Sequence, residues 1–442
     1  MQVVISNESI ERTISDLRKY YEKIDDDGCF FAIVTTEYDE KGNAVADLFD
    51  VIESASKIGY KYVNTIVYPT VNAKIVSFID NVKYVVWLCK NIQKMKFNKD
   101  PIREKHIWKD VEWGKRAKNY NPKGKDPGNV WIPTEDDGKA NITNHILLDD
   151  EAIINRIKKM SLCDDNYILL DNSSNSVFKL DIKKNTITKN CKVNGKIVFS
   201  SSEKMPQIKE KSVTVAVTSP PYWNLKDYFK VGQIGQESYE EYIKRMGKVW
   251  SECYSKLKDD GSLWININIR NQKGAVILIP YDIIKQCKKI GFYYKGIIIW
   301  HKSSGIPTGE KNIVDRHEYV LIFSKNENFS IDLDKAHTFS DYKNELITGK
   351  AFWNINRKAG SVGKKYIHPA IYPNDLVSRI VQISSNSGDL VLDPFLGSGT
   401  SLIASMKNKR NFIGYEYNEG FKELMISRII PELGSIEDIT FI

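Results

Sequence analysis

The sequence predicts an α/β fold, a mixed and mostly parallel sheet with helices on both faces, preceded by a related but degenerate α/β lobe. Three observations predict it. Short apolar runs alternate with amphipathic stretches of helical spacing along the chain. The same order of elements occurs twice, and in the second half one apolar run ends in a glycine-rich turn that leads into a helix.

The first copy begins at Glu8, where ESIERTISDLRKYYEKIDDDGCFFAIVTT reads as an amphipathic helix, an acidic turn ending in glycine and a hydrophobic strand. ESYEEYIKRMGKVWSECYSKLKDDGSLWININ, from Glu237, repeats that order. DLFDVIESASKIGYKYVNTIVYPT then matches PYDIIKQCKKIGFYYKGIIIWHKS, and DNVKYVVWLCKN matches DRHEYVLIFSKN. The offset between copies drifts only from 229 (Glu8 to Glu237) to 235 (Asp80 to Asp315). NVWIPTEDDGKANITNHILLDDEAIINRIKKMS parallels AFWNINRKAGSVGKKYIHPAIYPNDLVSRIVQIS. Successive matches in one order point to an internal duplication, with residues 1–180 as one lobe and 181–442 as the other.

The copies differ where chemistry would reside. The second runs on through GDLVLDPFLGSGTSLIASMKN, a buried strand, a glycine turn and a helix start, and then RNFIGYEYN, a strand ending in an acid. Gly397 and Gly399 let backbone N–H groups approach a ligand, and Glu416 follows at the spacing at which a carboxylate meets ribose hydroxyls. Without Gly-Lys-Ser/Thr the turn is no phosphate-cradling P-loop. The matching stretch of the first copy, DNYILLDNSSNSVFKLDIKK, keeps the strand and lacks both glycines. Only the second copy is preceded by TSPPYW, behind the apolar run VTVAV. Two prolines remove two donors and fix two φ angles, so this stretch is a stiff shelf at a strand's carboxyl end, where open α/β sheets bind ligands.

Length and composition are those of a globular chain. With 442 residues, 42% hydrophobic and 27% charged, it can bury a large core in two or three domains. Six cysteines without C-x-x-C spacing argue against a disulfide scaffold, a zinc site or a redox motif. No signal-peptide pattern or membrane-length apolar run occurs, so the chain is expected in the cytoplasm. The net charge of +8 is concentrated between Lys90 and Val130, with twelve Lys or Arg against five Asp or Glu. Trp108, Trp113 and Tyr120 interleave with that charge. The segment fits either a solvated loop or a phosphate-contacting one.

VTSPPYW together with VLDPFLGSGT resembles the S-adenosyl-L-methionine (AdoMet)-dependent DNA amino-methyltransferases, and the VTSPPY form is most similar to the N4-cytosine branch. The order, catalytic loop first, resembles the β class, and the resemblance covers about residues 190 to 430. It implies the Rossmann-like AdoMet-dependent methyltransferase fold, AdoMet as methyl donor and no metal. It also implies double-stranded DNA as substrate, a prokaryotic cytoplasmic setting and a separate cognate restriction endonuclease.

The implied site follows residue by residue. Ser219, Pro220, Pro221 and Tyr222 form the catalytic loop: the Ser219 hydroxyl and the Pro220 carbonyl accept the hydrogens of a poorly nucleophilic exocyclic amine, and Tyr222 offers a π face to a base flipped from the duplex. Asp393, Phe395, Gly397, Ser398, Gly399, Thr400 and Glu416 are the implied cofactor residues. Trp223 is a candidate wall of the base pocket, and Trp353 is either a contact residue or core. Asp227, Tyr228 and His368 fit capping or packing better than catalysis. No proline precedes a cysteine, so the Pro-Cys nucleophile of C5-cytosine methylation is missing. Lys115, Arg116 and Lys118 are the expected DNA-phosphate contacts of the first lobe, which would stand in for a second subunit and leave a monomer or weak dimer. The same loop chemistry serves adenine N6. RNA or protein methylation and an AdoMet-holding, DNA-binding pseudo-enzyme are the other readings.

Overall fold

In the computed structural model the residues described are 3–69, 82–104, 121–132, 149–163, 166–171, 192–224, 230–272, 275–302, 311–328, 331–332, 351–356, 361–362, 366–367 and 373–442. The first lobe contains β1 (Val3–Asn7), α1 (Ile10–Tyr21), β2 (Cys29–Val34), α2 (Leu48–Ile58), β3 (Lys61–Pro69), β4 (Val82–Cys89), α3 (Asp150–Ser161) and β5 (Tyr167–Asp171). The second contains β6 (Gly195–Val198), β7 (Val213–Thr218), α4 (Tyr239–Lys256), β8 (Leu257–Ile267), α5 (Ile279–Ile290), β9 (Tyr293–His301), β10 (His317–Ser324), β11 (Phe352–Asn354), α6 (Asn374–Ser384), β12 (Leu390–Asp393), α7 (Thr400–Lys407), β13 (Asn411–Tyr415), α8 (Lys422–Leu433) and β14 (Ile439–Phe441).

The first sheet has the strand order β3-β4-β2-β1-β5, and the second β11-β9-β10-β8-β7-β12-β13-β6-β14. Five adjacent strands of the larger sheet, β9-β10-β8-β7-β12, repeat the smaller sheet in order and direction. In both, the two pairs made by the counterpart strands β1 and β7 are parallel and the hairpin-side pairs antiparallel. The likeness extends to irregularities. A register shift falls between Tyr62 and Asn64 in β3 and between Tyr294 and Gly296 in β9. Ser9 and Ser238 cap α1 and α4 by accepting backbone N–H bonds. Gly59 and Gly291 end α2 and α5 at φ +120° and +116°, each against a tyrosine, Tyr21 and Tyr254, that leaves little room for a Cβ.

One expectation is corrected. The first copy does not open on its helix: VVISN forms β1, fully buried and paired on both sides, in the place that β7 holds in the second lobe. Only Glu8 and Ser9 separate β1 from α1, whereas residues 219–238 lie between β7 and α4. The first lobe thus keeps the strand under the Ser-Pro-Pro-Tyr loop and lacks the loop itself.

The helices pack as α1 with α2, α4 with α5, and α7 with both α6 and α8. The lobes share a continuous core, and α2 packs on α5, its counterpart. Phe49 meets Tyr319 edge to face at 5.2 Å, and Tyr281 and Tyr294 donate to Asp50 and Asp47 at 2.9 and 2.8 Å. Burial, and then the neighbouring Asp50 carboxylate, push the Asp47 carboxyl up to about 7. Residues 128–131 bridge the lobes, pairing with Val67 on one side and Val314 on the other. Arg316 completes the junction, donating from Nη1 to both oxygens of Glu104 at 2.8 and 3.0 Å. The expected lobe boundary lies in 172–191, outside the described residues. Among the described residues no helix is long and apolar enough to cross a membrane, and five cysteines are buried thiols outside any disulfide.

Candidate active site

The central strands β7 and β12 run parallel as neighbours, so their carboxyl ends carry the Ser-Pro-Pro-Tyr loop and the glycine loop side by side. One hydrogen bond joins them: Thr218, the last residue of β7, donates from Oγ1 to Asp393 Oδ1 at 2.7 Å. Asp393 is fully buried, accepts the Phe395 N–H at 2.9 Å and holds the Ser401 hydroxyl on its second oxygen. Its carboxylate therefore shapes the turn, and what faces a ligand there is backbone.

Gly397 and Gly399 adopt φ +56° and +85°, left-handed values that favour glycine. Gly399 caps α7, and the Gly397 N–H reaches Glu416 Oε2 at 2.8 Å. Glu416 follows β13, and its other oxygen accepts the Asn418 N–H at 2.8 Å. Burial pushes its carboxyl up to about 7 against those hydrogen bonds. Ser398 and Thr400 are buried and turned to Arg428, whose guanidinium binds the Ser398 carbonyl and hydroxyl and the Thr400 hydroxyl. Phe395 packs against the core, edge to face with Trp250 at 6.4 Å. A carboxylate beside a turn of left-handed glycines at a helix start is a donor and acceptor set that fits a nucleoside.

On the other loop, Tyr242 occupies the Pro221 carbonyl at 3.0 Å. Among the described residues no hydrogen bond reaches the Pro220 carbonyl. The Tyr222 ring is half-buried and its hydroxyl donates to Glu318 Oε2 at 2.9 Å. Asn266 Nδ2 donates to that same oxygen at 2.7 Å and approaches Ser219 Oγ at 3.4 Å, while Lys302 Nζ donates to Glu318 Oε1 at 2.9 Å. Trp223 is fixed in the wall: its Nε1 donates to the Glu237 carbonyl at 2.7 Å and its ring meets Tyr239 edge to face at 5.1 Å. The Arg270 guanidinium lies over the Trp223 ring at 5.7 Å. Trp353 is fully buried core, as is its counterpart Trp131 in the lobe that lacks both loops.

The structure thus gathers both motifs at one crevice and adds Asn266, Lys302, Glu318 and Arg428, which sequence reasoning missed. A charged residue inside the otherwise apolar strand HEYVLIFS was the available signal for Glu318. The described part of the basic segment is rich in ion pairs. Lys94, Lys96, Lys99, Arg103, Lys123 and Lys125 are all ion-paired, with Asp26, Asp27, Asp100, Glu104 and Asp126 as partners. Asp100, Glu104 and Asp126 belong to the five acids already counted in the segment, so only Asp26 and Asp27 reduce its basic excess further. Lys115, Arg116, Lys118, Asp227, Tyr228 and His368 lie outside the described residues. Among the described residues no cluster of His, Cys, Asp or Glu could hold a metal ion.

The family model for N6/N4 methyltransferases, described as DNA methylase, matches residues 213–427. The type II methyltransferase M.Cfr9I of Citrobacter freundii is 28% identical over 298 residues, covering 59% of this chain and 96% of the relative. M.MjaI of Methanocaldococcus jannaschii is 30% identical over 282 residues, covering 53% of this chain and 91% of that protein. Among solved structures, the cytosine-N4-specific PvuII DNA methyltransferase aligns with a TM-score of 0.45 at 22% identity, over 53% of this chain and 86% of that one.

Proposed function

The chain belongs to the N6/N4 DNA methylase family, and from that membership we propose that it methylates the exocyclic N4 amine of cytosine in double-stranded DNA as the modification enzyme of a restriction–modification pair. The observation that carries this reading is the joint at Thr218–Asp393, which sets the Ser-Pro-Pro-Tyr loop beside the glycine loop at adjacent strand ends. The VTSPPY form supports the N4 branch, and the type II naming of the relatives supports the restriction–modification setting.

AdoMet, when bound, supplies an electrophilic methyl group on sulfur. Glu416 and the Gly397–Gly399 turn would hold its nucleoside part, with the carboxylate placed to accept from ribose hydroxyls. The Ser219 hydroxyl and the Pro220 carbonyl accept the two amino hydrogens, which localises the nitrogen lone pair. Tyr222 stacks on the flipped base. No covalent bond to the protein forms, and the proton released from nitrogen passes to solvent.

Radiolabelled AdoMet with unmodified genomic DNA, followed by nucleoside mass spectrometry, tests the reading. N4-methylcytosine is the expected product; N6-methyladenine would overturn the base assignment and keep the loop chemistry. Because burial pushes the Glu416 carboxyl up to about 7 and its ionised form is the stronger acceptor for ribose hydroxyls, AdoMet affinity is expected to rise from pH 6 to pH 8 by up to about tenfold. Titration calorimetry across that range should give a flat profile for Glu416→Gln; a flat wild-type profile removes the carboxylate from the cofactor site.

The first lobe belongs to the same reading. A repeat of strand order, register shift and caps, with α2 on its counterpart α5, supports a duplicated subunit fused in place of a homodimer partner. Lys115, Arg116 and Lys118 are its proposed phosphate contacts, since their neighbours' charge is already paired within the lobe. Replacing all three with Gln is expected to flatten the slope of log affinity against log salt by about 2 to 3, with AdoMet affinity unchanged. An unchanged slope in filter binding removes the loop from the DNA interface.

A further inference from the structure

We propose that Glu318, clamped by Lys302, is the positioning residue of the catalytic loop, fixing Tyr222 through its hydroxyl and Ser219 through Asn266. The inference rests on the methyltransferase reading and adds residues that none of the family motifs quoted above contains. Glu318 stands second in β10, its side chain 16% exposed, and Lys302 follows β9 with its side chain 3% exposed. Removing a carboxylate and an ammonium from water costs several kcal/mol per ion, offset only when both are well hydrogen-bonded. Glu318 meets that condition: Oε1 takes Lys302, and Oε2 takes both the Tyr222 hydroxyl and Asn266 Nδ2.

The repeated lobe supplies an internal comparison. Glu318 lies opposite Trp300 in the β9–β10 ladder, and the matching rung of β3–β4 pairs Tyr68 with Lys83. Lys83 turns instead to Asp150, as do Tyr68 and Asn7, and Asn7 also reaches Asp171. The matching place in the counterpart sheet therefore carries the opposite charge in the lobe that lacks the Ser-Pro-Pro-Tyr loop. The sheet does not require the glutamate; the loop does.

The charge state fits an anchor rather than a base. Burial alone would raise the Glu318 pKa, but the Lys302 ammonium and the hydrogen bonds from Lys302, Asn266 and Tyr222 outweigh it and hold the carboxyl below its usual range. It stays an acceptor at neutral pH, and both donors on its Oε2 lead back to the loop: Tyr222 directly, Ser219 by way of Asn266. A loop held at both ends of its Ser-Pro-Pro-Tyr core keeps the amine acceptors and the stacking face in fixed relation, on which positional catalysis depends.

A double-mutant cycle between Tyr222→Phe and Glu318→Gln tests this, read as single-turnover methyl transfer to DNA with AdoMet and DNA saturating, alongside the AdoMet Kd. Tyr222→Phe, which keeps the ring, is expected to slow transfer about tenfold, and Glu318→Gln about 30- to 100-fold because it loosens both arms. The double variant should be no slower than Glu318→Gln within about twofold, with AdoMet Kd unchanged throughout. Multiplying effects, or a wild-type rate in either single variant, overturn the proposal. If Glu318→Gln fails to fold because Lys302 is left unpaired, the cycle is run on Glu318→Gln/Lys302→Met, which removes both charges. If that fails too, Tyr222→Phe decides, since a half-buried loop residue can lose one oxygen without loss of fold. Wild-type transfer to DNA separates the two claims: transfer with an additive cycle sinks the positioning alone, and no transfer to DNA sinks both.

Discussion

Tyr222→Ala is expected to lower single-turnover methyl transfer about 10²- to 10³-fold while leaving the AdoMet Kd within about twofold. Two losses combine. The ring is the stacking face for the extruded base, and stacking on an aromatic side chain contributes about 1–3 kcal/mol per base. Its hydroxyl is also the strut from the loop to Glu318, so removal frees the segment that carries Ser219 and Pro220. The cofactor loop is held by other groups, Asp393, Arg428 and Glu416. Rapid-quench transfer under saturation, with calorimetric AdoMet binding as the companion measurement, separates chemistry from cofactor affinity. A parallel loss of both would mean that the loops are one folding unit rather than two sites at one crevice.

How much of this was legible in the sequence depends on the range of each interaction. The two loops were, because TSPPYW and DPFLGSGT are local: proline pairs, glycines with positive φ and a helix start declare themselves within a few residues. The repeat was legible for the same reason, since caps and hydrophobic runs recur at a nearly constant offset. Strand β1 was missed because five residues without a turn signal on their own side carry little periodicity. Asn266, Lys302, Glu318 and Arg428 were missed for a deeper reason. Asn266, Lys302 and Glu318 come from β8, the end of β9 and β10 and meet because the strand order runs β9-β10-β8-β7, while Arg428 reaches the glycine loop from α8. No spacing in the chain encodes that adjacency. In the basic segment the count gave the excess but not the pairing, since Asp26 and Asp27 reach it from outside and Asp100, Glu104 and Asp126 pair within it.

Asp393→Ala is the second large effect expected, and it should be felt in stability and cofactor affinity together. The carboxylate is fully buried and serves three donors on three elements: the Thr218 hydroxyl at the end of β7, the Phe395 N–H in the turn and the Ser401 hydroxyl in α7. Alanine leaves all three unpaired out of water, and an unmet buried donor costs about 1–3 kcal/mol. A loss of about 3–5 kcal/mol is expected, measured as a lower urea midpoint at unchanged m-value, with AdoMet binding abolished. Asp393→Asn keeps one oxygen for both the Phe395 N–H and the Thr218 hydroxyl and lets the Ser401 hydroxyl rotate to accept from its amide, so it should recover part of both losses. If the alanine variant instead lost AdoMet binding at full stability, the carboxylate would be a ligand-facing group and not the joint between the loops. The geometry argues for the joint: a side chain with no exposed surface and every oxygen engaged can reach a bound cofactor only through the backbone it holds in place.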